Sequence, residues 1–336
     1  EKYAADALRM PLITGVTPGN DVRYRAEKIE ASRNFTNKLW NAARFVLMNL
    51  DGFDGTLSAE PPATADDIDQ WIITRFYEIA AKMGTELDHY DYGEAAKTIR
   101  DFIWNEFCDW YIELIKPRLY GKISEESKAQ AQAVAAWVLR ETCVLLHPIM
   151  PFITEEIWQH MSERRDGESI MIVRLPEAKP YDETLLERFD QVKEVISALR
   201  NIRKEHNLPN KDTLELCVLA DSNFHPEFNP ILIKMGNLSA IRTVDAKCSD
   251  AATFMVKTTE YFVPLNDKID TEEALKKLKA DLTYMEGFLA SVLKKLSNER
   301  FVQNAPAKVV ETERAKQNDA EAKIKALQER IAQLSK

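Results

Sequence analysis

The chain has 336 residues, enough for two or three domains, and 45% of them are hydrophobic, which suffices for a sizeable core. Its formal net charge of −9 argues against non-specific binding of polyanions by the whole surface, although a local basic face can still contact nucleic acid. No apolar run approaches the length of about 18 residues that a membrane-spanning helix needs, so the sequence predicts no membrane span.

The four cysteines, Cys108, Cys143, Cys217 and Cys248, are scattered along the chain, and none belongs to a C-x-x-C pair. This usage is typical of reduced thiols, so we expect no zinc site and a cytoplasmic protein. No signal peptide is evident. The chain starts at Glu1 in a segment that already has the character of a helix interior, so we expect it to be part of a longer protein.

Apolar residues recur at intervals of three and four through the first half of the chain, which predicts an antiparallel helical bundle. Turn residues and prolines separate the helices. Because proline cannot donate to a helix ladder, the third long helix is expected to stop before Pro117. The predicted helices span residues 2–13, 25–50, 64–87, 92–115 and 124–146, and a short fifth bundle helix starts at Thr154.

The pattern changes after about Pro176. One more helix is predicted over residues 185–206. Alternating and β-branched segments then predict three strands, with a short helix among them. The strands are expected at 214–219, 239–244 and 253–257, and the helix near 226–235. These elements indicate a small α+β unit.

The last part of the chain has the clearest periodicity. Apolar residues alternate at spacings of three and four from Leu275 to Leu296 and again from Ala320 to Leu334, as in the seam of a coiled coil. The break between the two runs is short, and Pro306 fits the first turn of a returning helix. The sequence therefore predicts an antiparallel coiled-coil hairpin that folds back on itself.

The segment 32–45 of the second helix is unusual because three asparagines lower its helix propensity. Asparagine amides can contact base edges, Arg and Lys can hold phosphates, and aromatic rings can stack on bases of an RNA loop. The alternative is that Trp40 and Phe45 belong to the core and that the asparagines bond neighbouring helices. Composition alone favours this structural alternative and leaves both open. The asparagines are Asn34, Asn37 and Asn41.

Glu106 lies on the apolar stripe of the third helix, and a carboxylate among apolar neighbours must find a donor. The donor could be an exocyclic amine of a base or a protein group such as Arg44. The residues alone favour a partner within the protein.

The segment 147–158 predicts a helix break followed by an N-cap and an acidic first turn. His147 has no nucleophile or metal-ligand set beside it, so a structural role is favoured over a catalytic one. The sequence also contains no Walker loop, G-x-G-x-x-G, H-E-x-x-H or nucleophile elbow. On its chemistry the chain is a binding module, for RNA or for another protein.

Charge is distributed unevenly between the predicted hairpin and the rest. From Asp270 onward the chain carries 13 basic and 11 acidic residues, whereas the remainder carries 32 and 43. This asymmetry favours the hairpin as the part that faces a polyanion, although a solvated coiled-coil surface would have the same charges. The basic residues near the tip are Lys294, Lys295, Arg300, Lys308 and Arg314.

Several segments resemble the class I aminoacyl-tRNA synthetases of the Val/Ile/Leu group. Residues 2–9 are similar to the helix that follows the catalytic signature loop in that group, and residues 147–158 to a helix-break motif of its anticodon-binding bundle. Three further segments narrow the resemblance to the valine enzymes. These are residues 17–23, residues 37–45, and residues 296–307, which are similar to the tip of that family's C-terminal arm.

The resemblance covers essentially the whole chain and implies a mainly α fold. It implies an antiparallel helical bundle followed by a small α+β connector and an antiparallel coiled-coil hairpin. The implied boundaries are a linker helix and turn after the catalytic domain at 1–24, the anticodon-binding bundle at 25–175, the connector at 176–266 and the tRNA-binding arm at 267–336.

The resemblance also implies roles for single residues. Phe45 is expected to stack on an anticodon base, while Glu106 and Lys38 bind base edges. The arm is expected to pack on the outer corner of the tRNA, with Arg300, Lys308 and Arg314 on phosphates. The implied anticodon-binding set is Asn34, Asn37, Lys38, Asn41, Arg44, Phe45, Glu106 and Trp110. The implied outer-corner set is Lys294, Lys295, Arg300, Phe301, Lys308 and Arg314.

The partner implied by the resemblance is a valine tRNA, with no obligate protein partner and a monomeric state. The full-length enzyme would attach valine to that tRNA with ATP and Mg. Its catalytic and editing domains would lie before Glu1, so the present chain is expected to contain no catalytic residue, cofactor or metal and to be inactive alone. The alternative remains a coiled-coil protein-interaction module that does not bind RNA.

Overall fold

A computed structural model of the chain describes residues 3–14, 25–50, 52–53, 58–220, 224–246, 251–265 and 271–297, and separate positions between 313 and 328. The chain forms two compact units, Glu1–Asp190 and Gln191–Lys336. The first unit is helical, and the second combines helices with a four-stranded sheet. The mainly α class predicted from the sequence is therefore observed.

The first unit is an assembly of helices whose apolar faces form one core. Helix α6 is buried along most of its length from Ala131 to Leu146. Its Trp137 ring packs edge-on against Phe76 of α3, with ring centroids 5.1 Å apart. The elements are α1 (Ala5–Ile13), α2 (Ala26–Met48), α3 (Asp67–Asp88), α4 (Tyr92–Asp101), a π-helical segment (Phe102–Tyr111), α5 (Ile112–Leu119), α6 (Glu125–Leu146), α7 (Pro151–His160), a 3-10 turn (Ile170–Ile172) and α8 (Glu183–Glu205), which ends in the second unit.

The third long helix does not stop before Pro117, so that prediction was wrong. Helix α4, the π segment and α5 follow one another without a break as far as Leu119. Pro117 gives up one ladder bond, but its carbonyl still accepts from the Lys122 N–H at 3.0 Å. Arg118 and Leu119 are 3% and 4% exposed. Their burial holds the last turn in place, and this outweighs one missing hydrogen bond.

Helix α3 starts at Asp67 rather than near Thr64. Asp66 is its N-cap, because the carboxylate accepts from the backbone N–H groups of Ile68 at 3.0 Å and Asp69 at 3.2 Å. The Thr64 hydroxyl accepts from the Asp66 N–H at 3.1 Å and so forms the turn before the helix. Thr64 and Asp66 are both residue types that cap helices, and they lie two positions apart. The local sequence therefore does not show which of them is the N-cap.

Helix α7 starts at Pro151, three residues before the predicted start at Thr154. Thr154 is fully buried, and its hydroxyl donates to the Met150 carbonyl at 2.8 Å, so it is not the N-cap. The cap comes instead from α1, where the Asp6 carboxylate accepts from the Ile153 N–H at 2.7 Å. A cap supplied from so far along the chain leaves no mark in the local sequence.

Replacing Asp6 with alanine is expected to lower the free energy of unfolding by about 1–2 kcal/mol. Asp6 is 2% exposed, and without its carboxylate the first N–H groups of α7 lose their acceptor. Urea denaturation measures the change. Asp6→Asn keeps one oxygen acceptor and should lose only part of that stability. An asparagine variant as unstable as the alanine variant would contradict the capping role.

The second unit contains a mixed sheet with the strand order β2-β1-β4-β3. Strands β1 and β2 are parallel and connected through α9, whereas β4 is antiparallel to both β1 and β3. The elements are β1 (Leu214–Leu219), a 3-10 turn (Pro226–Phe228), α9 (Asn229–Gly236), β2 (Leu238–Val244), β3 (Ala251–Val256), β4 (Thr259–Pro264) and α10 (Thr271–Leu296). Strand β4 was missed, although its buried Tyr-Phe-Val run is typical of a strand.

The buried guanidinium of Arg203 on α8 joins these elements. It donates to the carbonyl oxygens of Asp212 at 2.6 Å and of Gly236 and Asn237 at 3.1 Å. Asn237 ends α9 in the left-handed conformation, with a φ of 49°. Arg203 therefore provides donors for carbonyl groups at the end of α9 and before β1, and the Asn237 carbonyl accepts in addition from the Leu214 N–H at 3.2 Å.

The predicted arm is described in part. Helix α10 covers its first apolar run, and separate helical positions between Glu313 and Gln328 belong to the second. Val292 on α10 and Ala320 in the second run are both buried, and Lys295 Nζ lies 3.7 Å from a Glu313 carboxylate oxygen. The predicted tip around Pro306 lies outside the described residues, so the hairpin remains a prediction.

Candidate nucleic-acid interface

The asparagines of α2 lie on its solvent side. Asn34, Asn37, Asn41 and Arg44 are all exposed, and their spacing of three and four places them along one face of the helix. The opposite face supplies the core with Phe35, Leu39, Ala43 and other apolar residues. The asparagines therefore do not serve as bonds to neighbouring helices, which was the structural alternative. The exposed amides and guanidinium form a polar row, here called the α2 face.

Lys38 lies beside the α2 face and is held from two directions. Its Nζ is 2.5 Å from an Asp109 carboxylate oxygen and 4.0 Å from the centre of the Trp104 ring. Both partners belong to the π-helical segment, and Trp104 stacks in turn against Phe35 with centroids 6.4 Å apart. The Lys38 side chain is 24% exposed, so its ammonium is fixed but still open to solvent.

Phe45 is half-buried and lies at the C-terminal end of the same helix. Its ring meets Tyr120 edge-on at a centroid distance of 6.4 Å, and Lys116 Nζ lies 5.7 Å from its centre. Tyr120 is 54% exposed. An aromatic pair that is partly open to solvent and carries a nearby ammonium is suited to stacking on a nucleobase.

Glu106 and Trp110 contact elements other than α2. The Trp110 ring meets Phe189 of α8 edge-on at 6.4 Å. Arg75 of α3 lies near Glu106, and the two line one surface cavity of about 200 Å³. The role of Glu106 and Trp110 on an anticodon base remains a prediction.

The Arg75 side chain is held in place by ion pairs with neighbouring carboxylates. Burial alone would lower the pKa of Arg75, but its hydrogen bond to Asp190 at 2.7 Å and the charges of Asp190, Glu106 and Glu78 outweigh burial and raise that pKa. Arg75 also pairs with Glu78 at 2.6 Å. The guanidinium thus stays charged and anchored.

His147 has a structural role, as favoured from the sequence. Its Nδ1 lies 2.8 Å from the Thr154 hydroxyl, which itself donates to a backbone carbonyl and so accepts from the imidazole. Burial lowers the pKa of His147 below its usual 6.5, although the charges of Glu155 and Asp6 act in the opposite direction. His147 is therefore held neutral as a link between α6 and α7.

The arm residues are described only in part. Lys294, Lys295 and Arg314 are exposed, and Lys295 approaches Glu313. Arg300, Phe301 and Lys308 lie outside the described residues. The role of the six arm residues on the outer corner of the tRNA therefore remains a prediction.

Sequence reasoning missed Trp104 and Asp109, the residues that hold Lys38. Both lie on the π-helical segment, where the wider turn changes which side chains share a face. A helix of ordinary period was assumed for this stretch, and apolar spacing gave no sign of the change. Lys38 lies 71 positions before Asp109, so the closeness of Trp104 and Asp109 to this lysine is visible only in the tertiary structure.

Three cysteines, Cys108, Cys143 and Cys217, lie within the described residues, and no disulfide joins them there. Burial raises the pKa of Cys143 to about 12, so this thiol is not reactive. Among the described parts of the chain, no helix is long and apolar enough to cross a membrane. No cluster of metal-ligating side chains occurs there either.

Two family models match the chain. A model described as the anticodon-binding domain of tRNA ligase matches residues 69–218, and one described as the valyl tRNA synthetase tRNA binding arm matches residues 270–335. The first covers most of the helical unit from α3 onward, and the second covers α10 and most of the residues that follow it. Bundle and arm together define the tRNA-recognition region of an aminoacyl-tRNA synthetase.

Curated relatives are similar to the whole chain. Valine–tRNA ligase of Parabacteroides distasonis is 42% identical over 338 residues, covering 100% of this chain and 37% of the relative. The enzymes of Phocaeicola vulgatus and Bacillus licheniformis are 43% and 41% identical and cover 100% and 99% of this chain. The chain belongs to the valyl-tRNA synthetase family. It spans about 37% of the length of these relatives.

One solved structure is similar at a lower level. It is the ternary complex of Agrobacterium radiobacter K84 agnB2 LeuRS with tRNA and LeuAMS. The sequence identity is 15% and the TM-score 0.39, over 76% of this chain and 27% of that chain. A similarity this low adds nothing to the family assignment.

Proposed function

We propose that the chain recognises a valine tRNA at two places, with its helical bundle at the anticodon and with its arm at the outer corner. The observation that carries the proposal is the pair of matches to tRNA-binding models, one for the anticodon-binding domain of tRNA ligase over residues 69–218 and one for the valyl tRNA synthetase tRNA binding arm over residues 270–335. The α2 face lies outside the matched range, so its role rests on geometry. Its exposed amides can read base edges, and beside them lie the fixed ammonium of Lys38 and the half-open aromatic pair that Phe45 forms with Tyr120 of the segment after α5.

The full-length enzyme is proposed to attach valine to this tRNA with ATP and Mg. That chemistry belongs to parts of the enzyme outside this sequence, because the chain spans little more than a third of its relatives. Among the described residues no group of three or more His, Cys, Asp and Glu side chains is placed to hold a metal ion. The contribution of this chain is to bind and orient the tRNA.

Three finer points belong to the same proposal. The arm is a coiled-coil hairpin, supported by buried Val292 and Ala320 and by the approach of Lys295 to Glu313. The protein is a monomer, because a hairpin seam that closes on itself leaves no apolar stripe for a second copy. It works in the cytoplasm, which its free thiols favour.

Anticodon exchange tests the first contact. The chain is expected to bind a valine tRNA in a salt-sensitive manner and to bind at least about tenfold more weakly when anticodon bases are changed, because each lost base contact costs about 1–3 kcal/mol. Filter binding over a salt series measures both effects. Equal affinity for every anticodon would remove the bundle from base recognition.

Arm deletion tests the second contact. A chain without residues 270–336 is expected to bind tRNA more weakly while keeping its preference for the valine anticodon. The helical unit should stay folded, since it is a compact unit of its own, Glu1–Asp190. Circular dichroism is the control. A loss of helicity beyond the share of the arm, or a loss of anticodon preference, would contradict this division of labour.

A further inference from the structure

Trp104 and Asp109 hold a cation at the edge of the α2 face. Lys38 Nζ lies 2.5 Å from an Asp109 carboxylate oxygen and 4.0 Å from the centre of the Trp104 ring. The two partners lie five positions apart on the π-helical segment, which brings them to the same lysine. Asp109 remains 52% exposed, so the carboxylate stands at the surface beside the ammonium.

The two contacts limit the number of Lys38 N–H donors that a ligand can reach. An ammonium has three N–H donors. One donates to Asp109, and the face of Trp104 occupies a second side through a cation–π contact. The remaining donor is free to meet a ligand from solvent. Two contacts from a second helix fix its direction, whereas an ordinary surface lysine rotates freely.

Asp109 also determines the charge of the ligand that can approach. A phosphate that reached the remaining donor of Lys38 would come within a few ångströms of the Asp109 carboxylate and be repelled by it. A neutral acceptor such as a base N7 or carbonyl oxygen carries no full charge and meets no such repulsion. The arrangement therefore disfavours phosphate and admits a base edge.

We propose that Trp104 and Asp109 are specificity-determining residues that reserve Lys38 for a neutral acceptor atom of a nucleobase and exclude the phosphate backbone. The inference rests on the proposed function, since it assumes that the α2 face meets an RNA loop. Trp104 sets the position of the ammonium. Asp109 balances its charge and blocks non-specific contact with phosphates.

Asp109→Asn in the whole chain tests the exclusion of phosphate. Filter binding uses a valine tRNA and the same tRNA with a changed anticodon, each over a potassium chloride series. We expect the variant to bind the changed tRNA at least about threefold more tightly, so that discrimination falls. The slope of log K against log salt should steepen by roughly 0.7–0.9, because Lys38 gains one phosphate contact.

Asp101→Asn is the matched control. Asp101 belongs to the same long helix, pairs with Arg100 at 3.2 Å and has a side chain 43% exposed, close to that of Asp109. The Asp101→Asn substitution removes one negative charge at a position that does not contact Lys38. Any effect of the net charge of the chain on tRNA binding therefore appears in both variants. If the salt slopes and the discrimination of the two variants agree, the inference is overturned.

Trp104 is tested by a pair of substitutions. Trp104→Leu should weaken binding of the valine tRNA by about threefold, because the cation–π contact is lost, and Trp104→Phe should restore most of it. Equal losses in both variants would overturn the positioning role. Failure of the wild-type chain to bind either tRNA would instead overturn the proposed function. The wild-type chain could discriminate between the two tRNAs while the Asp109→Asn variant binds both with the wild-type affinities. That result would overturn this inference and leave the proposed function standing.

Discussion

Replacing Arg118 with methionine is expected to lower the free energy of unfolding of the helical unit by about 3–5 kcal/mol, the usual cost of removing one partner of a buried ion pair. Arg118 Nη2 lies 2.7 Å from Asp69, whose side chain is fully buried, and Tyr111 donates to the same carboxylate at 2.9 Å. Without Arg118 the charged carboxylate of Asp69 keeps only neutral side-chain donors, the Tyr111 hydroxyl and the Thr64 hydroxyl at 3.3 Å. Urea denaturation followed by circular dichroism measures the loss.

Lys116→Met is the control for Arg118→Met. Lys116 lies on the same helix and pairs with Glu113 at 2.6 Å, but the two side chains are 35% and 45% exposed. Water screens that pair, so its loss should cost less than about 1 kcal/mol. A triple variant that replaces Arg118, Asp69 and Tyr111 with Met, Leu and Phe leaves no buried charge and should recover most of the stability. Equal losses in the control and in Arg118→Met would contradict the account.

The cost of Arg118→Met is expected to depend on pH. Burial raises the pKa of Asp69 above its ordinary value of 3.8, although the hydrogen bond and charge of Arg118 act in the opposite direction. Removing Arg118 should therefore raise that pKa further. A carboxyl whose pKa is higher in the folded than in the unfolded state binds protons preferentially in the native protein. The native variant thus gains relative stability as the pH falls through the folded pKa, so its deficit should shrink on acidification. A deficit that grows instead would contradict the direction of the shift.

The double variant Asn41→Ala/Arg44→Ala is expected to weaken binding of a valine tRNA by about tenfold or more, because one base contact alone contributes about 1–3 kcal/mol. Both residues are exposed on the α2 face. Alanine has a higher helix propensity than either residue, so α2 should become no less stable. A loss of binding without a loss of thermal stability would separate recognition from folding.

The control for this variant replaces the same residue types elsewhere. Arg200 and Asn201 are neighbouring exposed residues on α8. Their double alanine variant removes the same charge and the same amide from a helix surface. We expect it to keep nearly the full affinity for tRNA. If both double variants lose affinity equally, the α2 face has no special part in binding.

Long periodic elements were predictable because their signal is carried by many residues. The spacing of apolar residues indicated α2, α3, α6, α8 and α10, and the structure contains each of them. Strand β1 was predicted at its observed bounds, Leu214–Leu219. The predictions that were wrong concern the ends of helices and the short elements. Strand β4 was overlooked, and the start of α7 was placed at Thr154 because its true cap comes from another helix.

The candidate site was predictable in part for the same reason. The α2 face could be proposed from three asparagines in one helix, because their spacing already places them together. The partners of Lys38 could not, since they come from a π-helical segment whose geometry apolar spacing does not show. The placement of Glu106 near Arg75 also depended on packing among separate helices.

The sequence by itself determined the mainly helical class, the apolar seams and the residues of the α2 face, because helical periodicity is a local property of the chain. Only the tertiary structure decided which charges meet. Asp69 with Arg118, Asp6 with the start of α7, and Lys38 with Asp109 are each joined across dozens of residues. Asp69 and Asp6 are buried, and a buried polar group must find a partner in space. In all three pairs, helix packing determines which partner is near.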